Sequence, residues 1–322
     1  MRRTLRTLAA GLLASLCLAA AAADWPERPL RLLVPSTPGS TPDVFARILA
    51  EGLREQLGQP VAVENRPGAG GAVAINAVAR AAPDGYTLGV SPPGPVGVNT
   101  LLYRKMPYDP ATQLTLVSIG VTQANVVVAR SSLGLRSVDD MLARLRREPG
   151  RHTYAAVGMG SINHLCMELI ALTSRTSLTQ VTYAGTPQAL MALLAGEVDF
   201  GCLPAQAVAP HVRDGKLQAL AVATARRSAF LPDIPTLKES GVSGIEAEAW
   251  MGLVAPAGVP PPVVQRLVRA MAQVLAQPEV RDKLAVQFMQ PVASTPEEFA
   301  ATVREDVRRW RPVIEARQIR LD

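Results

Sequence analysis

The sequence predicts an α/β protein of two lobes, each a mainly parallel sheet flanked by helices. Three observations predict it. Short β-branched runs alternate with longer stretches of helical spacing along most of the chain, the pattern of βαβ units. The chain has 322 residues, more than one core of ordinary size fills. Hydrophobic residues make up 48% and aromatics only 4%, so the cores are aliphatic, as sheets covered by helices require.

The elements follow in order. Residues 1–6 carry Arg2, Arg3 and Arg6, residues 11–20 are apolar, and Ala21, Ala22 and Ala23 are small residues ahead of Asp24. This is a secretory signal peptide, residues 1–23, with cleavage expected near Ala23 and a periplasmic mature protein. The apolar run is shorter than the roughly 20 residues a membrane span needs. Leu16 precedes Cys17 where a lipobox requires a small residue. Strands are expected at 30–34, 61–64, 86–90, 126–129, 153–157, 180–183, 198–202 and 217–223. Helices are expected at 42–57, ending at Gly58, at 72–80, and at 138–147, capped by Ser137. Residues 226–262 are rich in Pro and Gly, show no long periodic element, and read as the return to the first lobe. Three helices follow, at 261–276, 279–288 and 296–316. The last has Thr295 as N-cap, Pro296 at the first position and Glu298 closing a capping box. These helices have no strands of their own to cover, so they are expected to pack on the first lobe. The expected division is residues 24–124 plus 226–322 in one lobe and 125–225 in the other.

Composition excludes several classes. The net charge is +6, and setting aside Arg2, Arg3 and Arg6 leaves about +3, with no basic cluster in a nucleic-acid motif. Only three histidines occur, His152, His164 and His211, and none has metal-ligand spacing with Cys or Asp, so no metal or cofactor is expected. Ser161 and His164 are three apart, but no nucleophile-elbow motif surrounds them, so no enzymatic activity is expected. Cys166 and Cys202 read as small buried residues, with a disulfide between them the alternative that export allows.

Two segments share one design. Strand 30–34 runs into Pro35, Ser36, Thr37, Pro38, Gly39, Ser40 and Thr41, then a helix with Asp43 in its first turn. Strand 153–157 runs into Gly158, Met159, Gly160 and Ser161, then a helix through His164 and Glu168. Such loops leave N–H groups open at a helix N-terminus, where the dipole favours an anion. Glycines admit close backbone approach, and Ser and Thr hydroxyls add donors. A micromolar ligand needs about 8 kcal/mol, and roughly four to six charge-assisted hydrogen bonds supply it. Ordinary βα turns with Ser and Thr caps would look similar. Three more strand ends belong to the same rim: Ser91; Tyr183, Gly185 and Thr186, the last expected as an N-cap; and Pro204. Asp43 and Asp199 are the acids expected nearest the loops. Asp43 serves either the helix dipole or a ligand amine.

These residues also carry a family resemblance. Residues 31–35 with Pro38, Gly39 and Asp43; residues 63–71 (Val-Glu-Asn-Arg-Pro-Gly-Ala-Gly-Gly); residues 82–86; residues 107–110; residues 158–161 with His164 and Glu168; residues 231–236; and Gly252 with residues 255–258 form a long, specific set. The chain resembles the extracytoplasmic solute receptors of tripartite tricarboxylate transporters, the Bug or TctC-like family. The resemblance covers nearly the whole mature chain. It implies a type II-like, Venus-flytrap periplasmic binding protein and a small carboxylate ligand, of the di- or tricarboxylate or acidic amino acid kind. It also implies the transporter's membrane subunits as partners, and residues 36–41 and 158–164 as the ligand clamp. Ser36 and Ser40 stand where the family usually carries an aromatic residue and a glycine, and Ala184 where it often has a basic one. A monomeric, non-catalytic receptor is the expected reading. A sensor signalling to a membrane kinase, or a periplasmic enzyme on a related fold, are the alternatives.

Overall fold

A computed structural model describes residues 25–321. The expected signal peptide and its expected cleavage near Ala23 lie outside the described residues. Two sheets organise the described chain, one of six strands and one of five.

The first sheet opens with β1 (Leu30–Val34), in which Leu30, Leu32, Leu33 and Val34 are all buried, so both faces are covered. The chain continues through α1 (Thr41–Leu57), β2 (Val61–Asn65), α2 (Ala72–Ala79) and β3 (Thr87–Ser91). Gly58 adopts φ 71° and donates its N–H to Arg54 O, the left-handed cap that ends α1. β2 and β3 flank β1, both parallel to it. After a π-helical turn at Gly94–Val98 come two short helices, α3 (Asn99–Leu102) and α4 (Pro110–Gln113). β4 (Leu114–Gln123) is the longest strand and ends the first pass through this sheet.

One residue later the chain is in the second sheet. β5 (Asn125–Arg130) lies between β8 (Phe200–Pro204) and β9 (Leu217–Val222) and runs antiparallel to both. Between them come α5 (Val138–Arg147), β6 (Thr153–Val157), α6 (Ile162–Thr173), β7 (Thr179–Tyr183) and α7 (Thr186–Ala195); α8 (Ala205–Arg213) follows β8. β6 pairs parallel with β7 and β8. In both sheets the parallel set carries the candidate loops, and the strands that enter by crossover run against it.

The return holds a strand the sequence reading lacked. β10 (Ala249–Pro256) inserts between β3 and β4, antiparallel to each. Gly252 within it faces the Phe299 ring, which leaves no room for a side chain there. α9 (Pro261–Ala276), α10 (Pro278–Val286) and β11 (Met289–Pro291) complete this side, with β11 on the outer edge of β4.

The last helix, α11 (Pro296–Ala316), has the expected capping box at Thr295 and Glu298. Its destination corrects an expectation. Phe299 packs edge-on against Trp250, centroids 5.1 Å apart, beside the first sheet. Trp310, Val313 and Ile314 instead join the core around Tyr154 of the second sheet and Ile170 of α6. A helix of 21 residues is about 30 Å long, enough to serve two cores. Cys166 and Cys202 are both free and buried.

Candidate functional site

The loop after β1 is built around Asp43. Its carboxylate accepts from Gly39 N–H at 2.8 Å, from Asn65 Nδ2 at 2.9 Å and from Arg47 at 3.0–3.1 Å. Burial alone would raise the Asp43 carboxyl; the bonds from Arg47, Gly39 and Asn65 outweigh it and hold it below the usual carboxylate range. Asp43 therefore faces inward and fixes the loop. Asn65, at the end of β2, also donates to Ser36 O at 3.0 Å. Ser36 and Ser40 hydroxyls lie 2.6 Å apart, and Ser40 Oγ donates to Thr37 O at 2.7 Å. Ser40 thus occupies the N-cap of α1 without capping it. Pro42 has no N–H, so the first-turn donors of this helix are those of Thr41 and Asp43.

The loop after β6 is built around His164. Gly158 and Gly160 have φ of 73° and 74°, which side-chain-bearing residues rarely adopt. Gly158 N–H donates to Tyr183 O at 3.0 Å, tying this loop to the end of β7. Gly160 N–H donates to His164 Nδ1 at 3.0 Å, and Ser161 Oγ accepts from His164 N–H at 3.2 Å as a true cap of α6. Burial holds the His164 imidazole below its ordinary range, against the pull of the Glu168 carboxylate and a hydrogen bond with Gln180. The imidazole thus serves the loop backbone, and its Nδ1 is spent on Gly160 rather than on the Ser161 hydroxyl.

The remaining candidates take their places from strand order. β1 and β3 are neighbours, so Ser91 ends beside the first loop. It is fully buried, with its hydroxyl donating to Pro92 O at 2.9 Å. β7, β6 and β8 are neighbours and parallel, so Tyr183, Gly185, Thr186 and Pro204 share one edge with the second loop. Burial, then the Glu197 charge, raises the Tyr183 hydroxyl. The N-cap of α7 is Gly185 with extended backbone, and Thr186 is the first helical residue rather than the expected cap, so the helix starts one residue earlier than expected. Asp199 is not at this edge. It precedes β8, whereas the loops follow their strands, and it binds Arg130 and His152, each at 2.8 Å.

The two edges meet. Gln206 Nε2, on α8, lies 3.4 Å from Thr41 Oγ1 on α1, and Gly160 packs against Leu102 of α3. Gln206 Oε1 is buried and has no hydrogen-bond partner. Asn163 pins α6 to the neighbouring strands, donating to Cys202 O at 2.7 Å and to Asn125 Oδ1 at 3.0 Å. Gln206, Asn163 and Asn65 were not candidates in the sequence. Gln206 sits two residues past Pro204 and Asn65 ends a strand, so polar residues at strand ends were the signal.

The family model described as tripartite tricarboxylate transporter family receptor matches residues 45–319. The chain belongs to this family. Family members are transporter receptors, so this chain is a solute-binding receptor of the periplasmic type and not an enzyme. Protein BugT of Bordetella pertussis is 35% identical over 291 residues, 90% of this chain and 89% of BugT. R. palustris Rpa4515 with adipate aligns with TM-score 0.83 at 34% identity, covering 90% of this chain and 97% of that one. MatC from Rhodopseudomonas palustris with bound malate aligns with TM-score 0.79 at 32% identity, covering 90% and 100%. The family match begins at residue 45, so in this receptor the loop at 36–41 precedes the matched stretch.

Proposed function

We propose that this receptor holds a small di- or tricarboxylate between residues 36–41 and 158–164. It then delivers the ligand to the membrane subunits of a tripartite tricarboxylate transporter. In this reading the mature protein is a monomer, cleaved near Ala23, with lobes formed by residues 24–124 plus 226–322 and by 125–225, the end of the last helix reaching across to the second core. The observation that carries it is the contact of Gln206 with Thr41, which puts one helix N-terminus opposite a second strand–loop–helix edge. A ligand with a carboxylate at each end suits two such edges, since each offers N–H groups and hydroxyls without a fixed cation. Ser36, Thr37, Ser40 and Thr41 would serve one end. Ser161, Tyr183 and Thr186 would serve the other with their hydroxyls, Gly158, Gly160 and Gly185 would let the ligand come close to the backbone, and Ser91 and Pro204 would form the floor. Asp43 and His164 act from behind, by holding their loops. Adipate and malate, bound by relatives at 34% and 32% identity, are the first compounds to try.

Isothermal titration of the mature protein against C4 to C6 mono-, di- and tricarboxylates, acidic amino acids and matched amides tests this. Micromolar binding of a dicarboxylate, lost with its diamide, is expected. Folded protein that ignores every carboxylate, or binds the diamide equally well, would end the proposal.

A further inference from the structure

Behind the second loop, side chains from separate elements form one connected run. Arg317, just past α11, donates from Nε to Glu168 Oε2 at 2.8 Å. The other oxygen of Glu168 accepts from the Tyr154 hydroxyl at 2.6 Å. The Tyr154 ring stacks on the His164 imidazole, with centroids 6.3 Å apart and planes 13° apart. His164 Nδ1 accepts from Gly160 N–H. The run borders a polar cavity of about 240 Å³ lined by His164, Glu168, Ser177, Gln180 and Arg317.

His164 can hold Gly160 only while Nδ1 keeps its lone pair. A protonated imidazole carries N–H on both nitrogens and would face the Gly160 N–H donor to donor. Glu168 lies four residues along the same helix, so both side chains share one face, and its negative charge favours the protonated ring. The groups that face the imidazole are Glu168 from α6, Tyr154 from β6, Gln180 from β7 and, through Glu168, Arg317. Arg317 is the cation in this set. It is about one-third exposed, while Glu168 is largely buried.

We propose that Arg317 is a positioning residue for the binding loop: by neutralising Glu168 it keeps His164 unprotonated and turned toward Gly160. The C-terminal end of the last helix thereby sets the lower pH limit at which the loop is ordered. Burial of the imidazole pulls in the same direction. The inference rests on the reading of residues 158–164 as part of the clamp, yet the order of this loop can be measured without any ligand.

The test uses the full mature protein with Arg317→Met, Arg317→Lys and Glu168→Gln. Amide exchange at Gly160 is followed by NMR from pH 5 to 8, with adipate titrations at the same pH values. The pH at which Gly160 loses protection should rise by about half a unit or more in Arg317→Met and fall in Glu168→Gln. Arg317→Lys should restore the wild-type midpoint. A merely structural contact would lower thermal stability in both variants and leave the midpoint fixed. No movement, or movement of both variants in one direction, overturns the inference. If Arg317→Met fails to fold, a Glu168→Gln midpoint that does not fall overturns it alone. Gly160 protection that moves as expected without any change in adipate affinity would keep the inference and sink the clamp reading. A Gly160 midpoint that stays fixed in Arg317→Met and Glu168→Gln, while adipate still binds and its binding fails when that protection is lost, would do the reverse.

Discussion

The loops at 36–41 and 158–164 have the same plan in sequence and opposite construction in space. Each follows a parallel strand and opens a helix. The first is tied from below by a buried carboxylate, Asp43, and its N-cap serine spends its hydroxyl inside the loop. The second is tied by a neutral imidazole, His164, and its N-cap serine caps. Similar composition therefore does not mean similar support. The first loop depends on a group ionised at every ordinary pH, the second on one that must stay uncharged.

Variants that remove each support make the comparison testable, from the largest effect down. Asp43→Ala leaves Gly39 N–H without its acceptor and the Asn65 amide with Ser36 O alone, and should cost about 3 kcal/mol in urea unfolding. Its pH behaviour should separate the loops. The Asp43 carboxyl is held below its usual range, so its contribution is present at all pH values above that range and lost only in strong acid. The His164 imidazole is also held low, so the unfolded chain takes up that proton first and stability is lost as pH falls below about 6.5. The gap between wild type and Asp43→Ala should stay constant from pH 7.5 to 5. The gap between wild type and His164→Leu should narrow over the same interval. Parallel gaps would erase the distinction drawn here.

Glycine substitutions come next. Gly39 and Gly160 both have positive φ, so alanine strains either by about 1–2 kcal/mol. Only Gly160 is also backed by a side chain, Leu102, whereas space at Gly39 is open. Gly160→Ala should therefore lower the unfolding free energy by about 1 kcal/mol more than Gly39→Ala. Equal losses would mean that the Leu102 contact yields freely. The smallest effect separates the caps: Ser161→Ala should cost about 1 kcal/mol and Ser40→Ala only a few tenths, by thermal unfolding. The reverse order would show that the Ser40 hydroxyl caps in solution.

Much of this frame was readable in the sequence. β1, α5 and α11 start and stop where local patterns place them, because Ser137, Thr295 and the apolar periodicity act within a few residues. β4 and β10 were not readable. Ser118 and Gln123 look like loop residues until their partners are known: Ser294 O and Gln287 O, each more than 160 residues away. Gly252 looks like a strand breaker, yet the Phe299 ring requires it. At the site, the five strand ends were legible because parallel strands place their carboxyl ends together. The inward turn of Asp43 was not, since it depends on Asn65 and Arg47. Nor was Asp199, whose pairing with His152 and Arg130 belongs to the opposite edge.

One consequence follows from the course of α11. Two strand crossovers between a pair of plates form a strap, and a strap allows both bending and sideways swivel. A rigid rod anchored at Phe299 on one plate and at Trp310 and Ile314 on the other adds a third leg, off the line of the strap. A third attachment off the line of the other two also resists rotation about that line. Any opening of the two edges at Thr41 and Gln206 would then have to bend this rod or lift one of its ends from its core.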